Sequence, residues 1–284
     1  MGFWLLQGLN GISFGMLLFL LAAGLSLIFG LMRIINLAHG SFYLLGAYIG
    51  LTVMQRTHSF VLAMLASVLV LTVLGAVILR LFLFRFVEEH LAQVLLTYGF
   101  LFILGDLTLW VWGGNPQTVP IPSLLSGSLL LGSVMFPTYR LFVIIVGTVV
   151  AILLGLVLER TRIGAIVRAG VDDAEMVQAA GVNIRLVFMV VFGLGALLAA
   201  LGGVIGGPIV GASPGTDFEV LMLAFVVVIV GGLGSLRGAF VGSMMVGLVD
   251  NFGKSLFPQF ALFTIFVPMV IVLAVRPHGL FGRT

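Results

Sequence analysis

Nothing charged precedes Arg33, and the charges that follow stay far apart. Arg33 and Arg56 are separated by 22 residues, Arg56 and Arg80 by 23, Arg140 and Glu159 by 18, Arg185 and Asp217 by 31, and Lys254 and Arg276 by 21. A helix needs about 20 consecutive apolar residues to cross the hydrocarbon of a bilayer, so each gap has the length of a span. Soluble domains devote about 25% of their residues to charge. Here 8% are charged and 61% hydrophobic, too little charge to cover a water-facing surface on 284 residues. A soluble enzyme, a disordered chain and a nucleic-acid binder are thereby excluded. The chain has no cysteine, which removes disulfides, thiolate catalysis and Cys-based metal sites. His39, His58, His90 and His278 form no i, i+4 pair, so no metal site is expected.

The spacing predicts an all-α polytopic membrane protein, a single transmembrane domain over residues 1–284. About nine crossings, within a range of eight to ten, are expected near 9–31, 36–54, 60–79, 91–112, 141–158, 186–207, 219–235, 239–253 and 259–275. The first lacks a basic flank and exceeds a signal peptide's apolar region of about 7–15 residues, so it is read as a retained helix. With the N-terminus outside, one set of loops holds Arg33, Arg80, Arg85, Arg160, Arg162, Arg168, Arg185, Arg237, Arg276 and Arg283, and the other only Arg56, Arg140 and Lys254. Lys and Arg concentrate on the cytoplasmic side, so 80–90, 159–185 and the C-terminal tail are expected there. The stretch 113–140 then faces outside. Its Pro116, Pro120, Pro122 and Pro137 forbid a continuous helix, and Ser126-Gly127-Ser128 reads as a turn.

The 159–185 loop holds eight of the 23 charges. Within it, Asp172 to Gly181 reads as a short capped helix. An Asp accepts from the first free N–H groups, Glu175 sits favourably in the first turn, Ala179 and Ala180 favour helix, and Gly181 suits the left-handed C′ position. Tipped with Met176, Val177 and Ala180, such a helix has the shape of a plug for a partner's groove. An ordinary solvated loop is the alternative.

Several segments carry a resemblance. Gly24-Leu-Ser-Leu-Ile-Phe-Gly-Leu-Met-Arg-Ile-Ile-Asn-Leu-Ala-His-Gly-Ser-Phe-Tyr-Leu-Leu-Gly-Ala-Tyr48 resembles the N-terminal signature of branched-chain amino acid (LivH-type) permeases of ABC importers. Residues Arg168–Asn183, Gly231–Ala239 and Pro277–Gly282 resemble further segments of that family, in its order. Arg237 departs from the small, apolar or proline residue expected there. The resemblance implies an ABC-importer permease fold, a bacterial inner-membrane location and pairing with a second related permease subunit. It implies two cytoplasmic ATPase subunits and a periplasmic solute-binding protein as further partners. On that reading Asp172, Asp173, Glu175, Met176, Ala179, Ala180 and Gly181 dock into an ATPase groove. The chain carries no Gly-x-x-x-x-Gly-Lys-[Ser/Thr] loop, so ATP-Mg is expected on the partner subunits and no cofactor on this chain. Urea and short-amide permeases share much of the pattern and remain an alternative substrate class.

Polar groups within spans are costly and face protein or water, and Gly-interrupted segments in the two halves point to a transport pathway. Asn36, His39, Ser41, Tyr43, Tyr48 and Asp106 are the candidates, with Gly231, Gly232 and Gly234. Thr97, Tyr98, Asp250 and Asn251 belong to the same intramembrane polar set. The N-terminal half is expected to break around Arg33 to His39. His39-Gly-Ser-Phe and Arg237-Gly-Ala-Phe form a weak internal repeat. Gly195, Ala199, Gly203 and Gly207 make a packing stripe. Gly234, Gly238 and Gly242 extend that pattern only if a helix runs through Arg237, and the charge count favours a turn at Gly238. Asp217 and Glu219 are expected to be solvated. A secondary transporter or channel would want ionisable relays inside its spans, and an intramembrane enzyme a nucleophile and base at workable spacing. The sequence offers little of either.

Overall fold

The computed structural model describes residues 2–86, 89–132, 134–261 and 263–282. Arg283 and two residues of the 80–90 loop, 87 and 88, lie outside the described residues. Eleven helices account for most of the described chain: α1 (Gly2–Met32), α2 (His39–Thr57), α3 (Phe60–Leu81), α4 (His90–Trp112), α5 (Thr138–Arg160), α6 (Arg162–Asp172), α7 (Ala174–Ala179), α8 (Ile184–Val210), α9 (Thr216–Gly231), α10 (Leu236–Leu256) and α11 (Val267–Val275). The first eight apolar stretches each coincide with one of them, and the ninth does so only in its second half. α1, α3, α4, α5 and α8 are long and apolar enough to span singly, and α9 with α10, bent by 115°, forms a sixth unit. The last stretch is helical only over α11 and a preceding 3-10 turn, Pro258–Phe260.

α1 is the axis of the bundle and runs antiparallel to α10. Gln7 donates to Ser255 at 3.0 Å at one end, and Gly30 meets Gly234 at the other. α8 crosses both α1 and α2 through the Gly195–Gly207 stripe, all buried. A Cβ on Gly24 would stand 2.8 Å from the Gly195 carbonyl, so the absence of side chains is what lets these two backbones touch. The stripe is packing, as its spacing suggests.

The two ends of the bundle differ. One gathers Arg33, α6, α7 and the α9–α10 turn, and we call it the basic end. The other carries a hairpin, β1 (Ser128–Leu131) paired antiparallel with β2 (Val134–Pro137). This hairpin end falls in the stretch 113–140, where prolines exclude a helix. Gln117 bridges to Ala212 beside it, and Arg140 donates to Asn10 at 2.6 Å. Asp250 is anchored at this end by Thr264 at 2.9 Å and Lys254 at 2.7 Å, and Asn251 by Gln7. The turn between α9 and α10 falls at Gly232–Ser235 rather than at Gly238. Ser235 caps α10 by accepting from the Gly238 N–H at 3.0 Å, so Gly238 and Gly242 sit on α10 and Gly234 does not.

Candidate functional site

Two helices begin at one depth inside the bundle. His39 Nε2, at the start of α2, donates to the Leu21 carbonyl at 3.0 Å. Leu21 lies 11 residues before the end of α1, about 16 Å in from the basic end. The chain reaches this depth by leaving α1 at Arg33 (φ 52°) and running back without helix through residues 33–38. Residues 33–36 run without helix and 37–38 close a turn in which the His39 N–H donates to the Asn36 carbonyl at 3.3 Å. Ile34, Asn36 and Ala38 turn inward and are buried, whereas Arg33 and Ile35 are exposed. Thr97 of α4 satisfies this stretch's backbone, accepting from the Leu37 N–H at 3.3 Å and standing 3.2 Å from the Ile35 carbonyl. Non-helical backbone at membrane depth requires such partners. The expected break between Arg33 and His39 is therefore a re-entry into the bundle.

α9 starts at the same level. Ser41 Oγ, in the first turn of α2, lies 3.4 Å from Asp217 Oδ2, in the first turn of α9, and 3.3 Å from the Leu101 carbonyl. A Cβ on Gly40 would collide with the Asp217 carbonyl, so only glycine lets the two first turns meet. The free N–H groups of both N-termini carry partial positive charge, and the Asp217 carboxylate sits between them. Asp217 is only 6% exposed, which corrects the expectation that it is solvated; Glu219 is exposed as expected.

α4 closes over this junction. Its buried positions are Gln93, Thr97, Leu101, Leu104 and Thr108, one stripe of which three members are polar. Leu95, Phe102, Ile103, Leu107 and Trp110 on its other faces are exposed. Apolar outside and polar inside is the arrangement of a helix between lipid and a polar interior. α2 presents Ser41, Tyr48 and Thr52 to the stripe. Trp112 stacks on Tyr48 with ring centroids 5.0 Å apart and donates to Thr52 Oγ1 at 2.8 Å. The Tyr48 hydroxyl and Gln93 Oε1 are buried without a hydrogen-bond partner, as are both side-chain polar atoms of Asn36.

Of the pathway candidates, the structure brings Ser41 and Tyr48 into this α2–α4–α9 seam and Asn36 to its inner edge. His39 and Tyr43 lie on the face of α2 toward α1 and α8, where a Cβ on Gly206 would collide with the Tyr43 hydroxyl. Asp106 is exposed on the far face of α4, as is Tyr98 in part. Gly231 and Gly232 are at the basic end, packed against Gly238 and against the tail at Gly282, and Gly234 against Gly30. The repeated motifs at His39 and Arg237 both open helices, α2 and α10.

At the basic end the 159–185 segment holds two helices, where one was expected. α6 packs on both α5 and α1: Gly164 lies against the Val157–Leu158 backbone of α5 and Gly170 against Leu31 of α1. α7 follows as a separate turn and a half. The Asp173 carboxylate caps it by accepting from the Met176 N–H at 2.9 Å, and Gly181 takes φ +86°. Asp172 closes α6 instead. Glu175, Ala179 and Ala180 are exposed, and Met176 is 66% exposed. Val177, expected at the tip, is instead buried, turned toward the bundle. Beside this surface a cavity of about 1390 Å³ opens between α1, α5, α6 and the α9–α10 turn, lined by Ser26, Arg33, Gly155, Arg168 and Gly234. The Arg237–Glu159 ion pair, at 2.6 Å, spans its rim.

A protein family described as branched-chain amino acid transport system, permease component, matches residues 8–275. The chain belongs to that family. A permease component is the membrane part of a transport system and not an enzyme. The branched-chain amino acid permease protein BraD of Pseudomonas aeruginosa is 30% identical, over 99% of this chain and 96% of its own length. LivH of Escherichia coli is 26% identical over the same shares. The ribose import permease RbsC of E. coli matches more narrowly, 26% identical over 59% of this chain and 48% of its own. No solved structure matches the chain. The stretch Gly24–Tyr48, inside the matched residues, spans the last turns of α1, the re-entry and the first turns of α2.

Proposed function

We propose that this chain is one of two related permease subunits of an ATP-driven importer in a bacterial inner membrane. It passes branched-chain amino acids, delivered by a periplasmic binding protein, into the cytoplasm. ATP-Mg is bound and hydrolysed on two separate cytoplasmic subunits. The basic end faces the cytoplasm, in keeping with the Lys and Arg bias, and the hairpin end meets the binding protein. One observation carries the coupling role: α7 is capped by Asp173, ended by Gly181 and projects Met176 and Glu175 into solvent. An exposed apolar side chain on a fixed helix suits a partner's groove. α6 connects it rigidly to α1 and α5, so force on α7 reaches the helices that flank the basic-end cavity.

The test is reconstitution. Liposomes holding the complete transporter should accumulate leucine only with ATP on the α7 side and binding protein on the other. Accumulation by this chain alone, driven by an ion gradient, would refute the proposal.

A further inference from the structure

Asp217 is a carboxylate deep in an apolar bundle, and among the described residues no basic side chain lies within 4.0 Å of it. Among the described residues its one side-chain hydrogen-bond partner is the Ser41 hydroxyl at 3.4 Å. A carboxylate has about four acceptor sites, so most of its capacity is unused. Tyr48, two turns along the same face of α2, is 0% exposed with its hydroxyl unpartnered among the described residues. Buried ionisable groups within spans are expensive and mark the paths of ions and polar solutes. The first-turn N–H groups of α2 and α9 carry only partial positive charge beside this carboxylate, short of a full counter-ion. A cationic group would complete the carboxylate's counter-charge, which an uncharged amide does not. α4, the covering wall, packs chiefly against α2 and the turn Leu83–Phe86, so the seam opens by moving a single helix.

We infer that the α2–α4–α9 seam binds a monovalent cationic group, the ammonium of a zwitterionic amino acid in transit, with Asp217 as its counter-charge and the Tyr48 hydroxyl as its polar neighbour. The inference rests on the transport function proposed above, and deepens it by naming the charge state of the solute and the side chain that reads it.

The experiment uses the complete transporter in liposomes, comparing wild type with Asp217→Asn, Asp217→Glu and Tyr48→Phe. Asp217→Asn should cut leucine uptake about tenfold or more, the scale of a lost charged hydrogen bond. ATP hydrolysis stimulated by the binding protein should stay within about twofold, Asp217→Glu should recover part of the uptake, and Tyr48→Phe should raise KM more than it lowers the maximal rate. Uptake by Asp217→Asn equal to wild type overturns the inference while leaving the proposed function standing. So does equal loss of uptake and hydrolysis in both the Asn and Glu variants, which marks a structural role. Wild-type uptake that disappears when choline replaces sodium assigns the carboxylate to an inorganic cation and also overturns it. Absence of ATP-driven uptake in the wild type refutes the proposed function itself.

Discussion

Replacing Asp173 with alanine isolates the cap of α7 from everything else on its surface. α7 has six residues, far below the roughly 12–15 at which an isolated helix holds itself together in water. Its order therefore depends on the Asp173 bond to the Met176 N–H, on burial of Val177, and on the closing bonds from Gly181 N–H to the Gln178 carbonyl at 3.0 Å and Val182 N–H to the Val177 carbonyl at 3.3 Å. Losing an N-cap Asp costs about 1 kcal/mol, which is about fivefold in the ratio of ordered to unordered α7. So short a helix is marginal by itself, so for an ATPase that binds only its ordered form the Kd for Asp173→Ala transporter should rise measurably, with about fivefold as the upper limit. Titration of labelled ATPase subunit onto the permease pair in nanodiscs measures this. Asp173→Asn and Asp173→Ser keep an acceptor oxygen and should stay within about twofold. Wild-type affinity in Asp173→Ala, or Asp173→Asn as weak as Asp173→Ala, would refute the argument that the cap orders the docking element.

Three further outcomes follow from packing and exposure. Gly24→Leu should lower the thermal midpoint and the yield of monodisperse protein, because a Cβ there already meets the Gly195 carbonyl at 2.8 Å and overpacking costs about 1–3 kcal/mol. Tyr139→Phe removes a buried hydroxyl that donates to the Ile205 carbonyl at 2.7 Å; a loss of about 1 kcal/mol is expected, read as a lower thermal midpoint with assembly intact. Glu159→Gln should leave the midpoint unchanged, since both members of the Arg237–Glu159 pair are solvent-exposed and water screens such pairs.

The helices were legible because charge spacing and apolar length are local properties, and so was the capped α7, since Asp173 and Gly181 act within a few residues of themselves. Depth was not. Asp217 follows Pro214-Gly215 between two apolar stretches, the pattern of a solvated loop. Only the tertiary fold, in which α9 starts beside the first turn of α2, takes it inside. Thr97 lies four positions after Gln93 on α4 and Thr108 eleven after Thr97, spacings that keep all three on one face, a polar stripe that a search by residue type passes over. Counting polar residues by helical face on each span would have found it. Gly164 and Gly170 weaken the helical pattern of α6 in the sequence, yet those glycines are what let it lie on α1 and α5. Val177 was misplaced for want of knowing which side of so short a helix meets the bundle. Asp106 attracted attention as a charge within a span, but its position by helical angle is opposite the polar stripe.

The most direct test places one cysteine at Met176 in a chain that has no other. In membranes containing the assembled transporter, Met176→Cys should cross-link to the ATPase subunit, and a membrane-impermeant maleimide should reach it only from the cytoplasmic side. Labelling from outside intact cells, with no cross-linked product, would contradict the account.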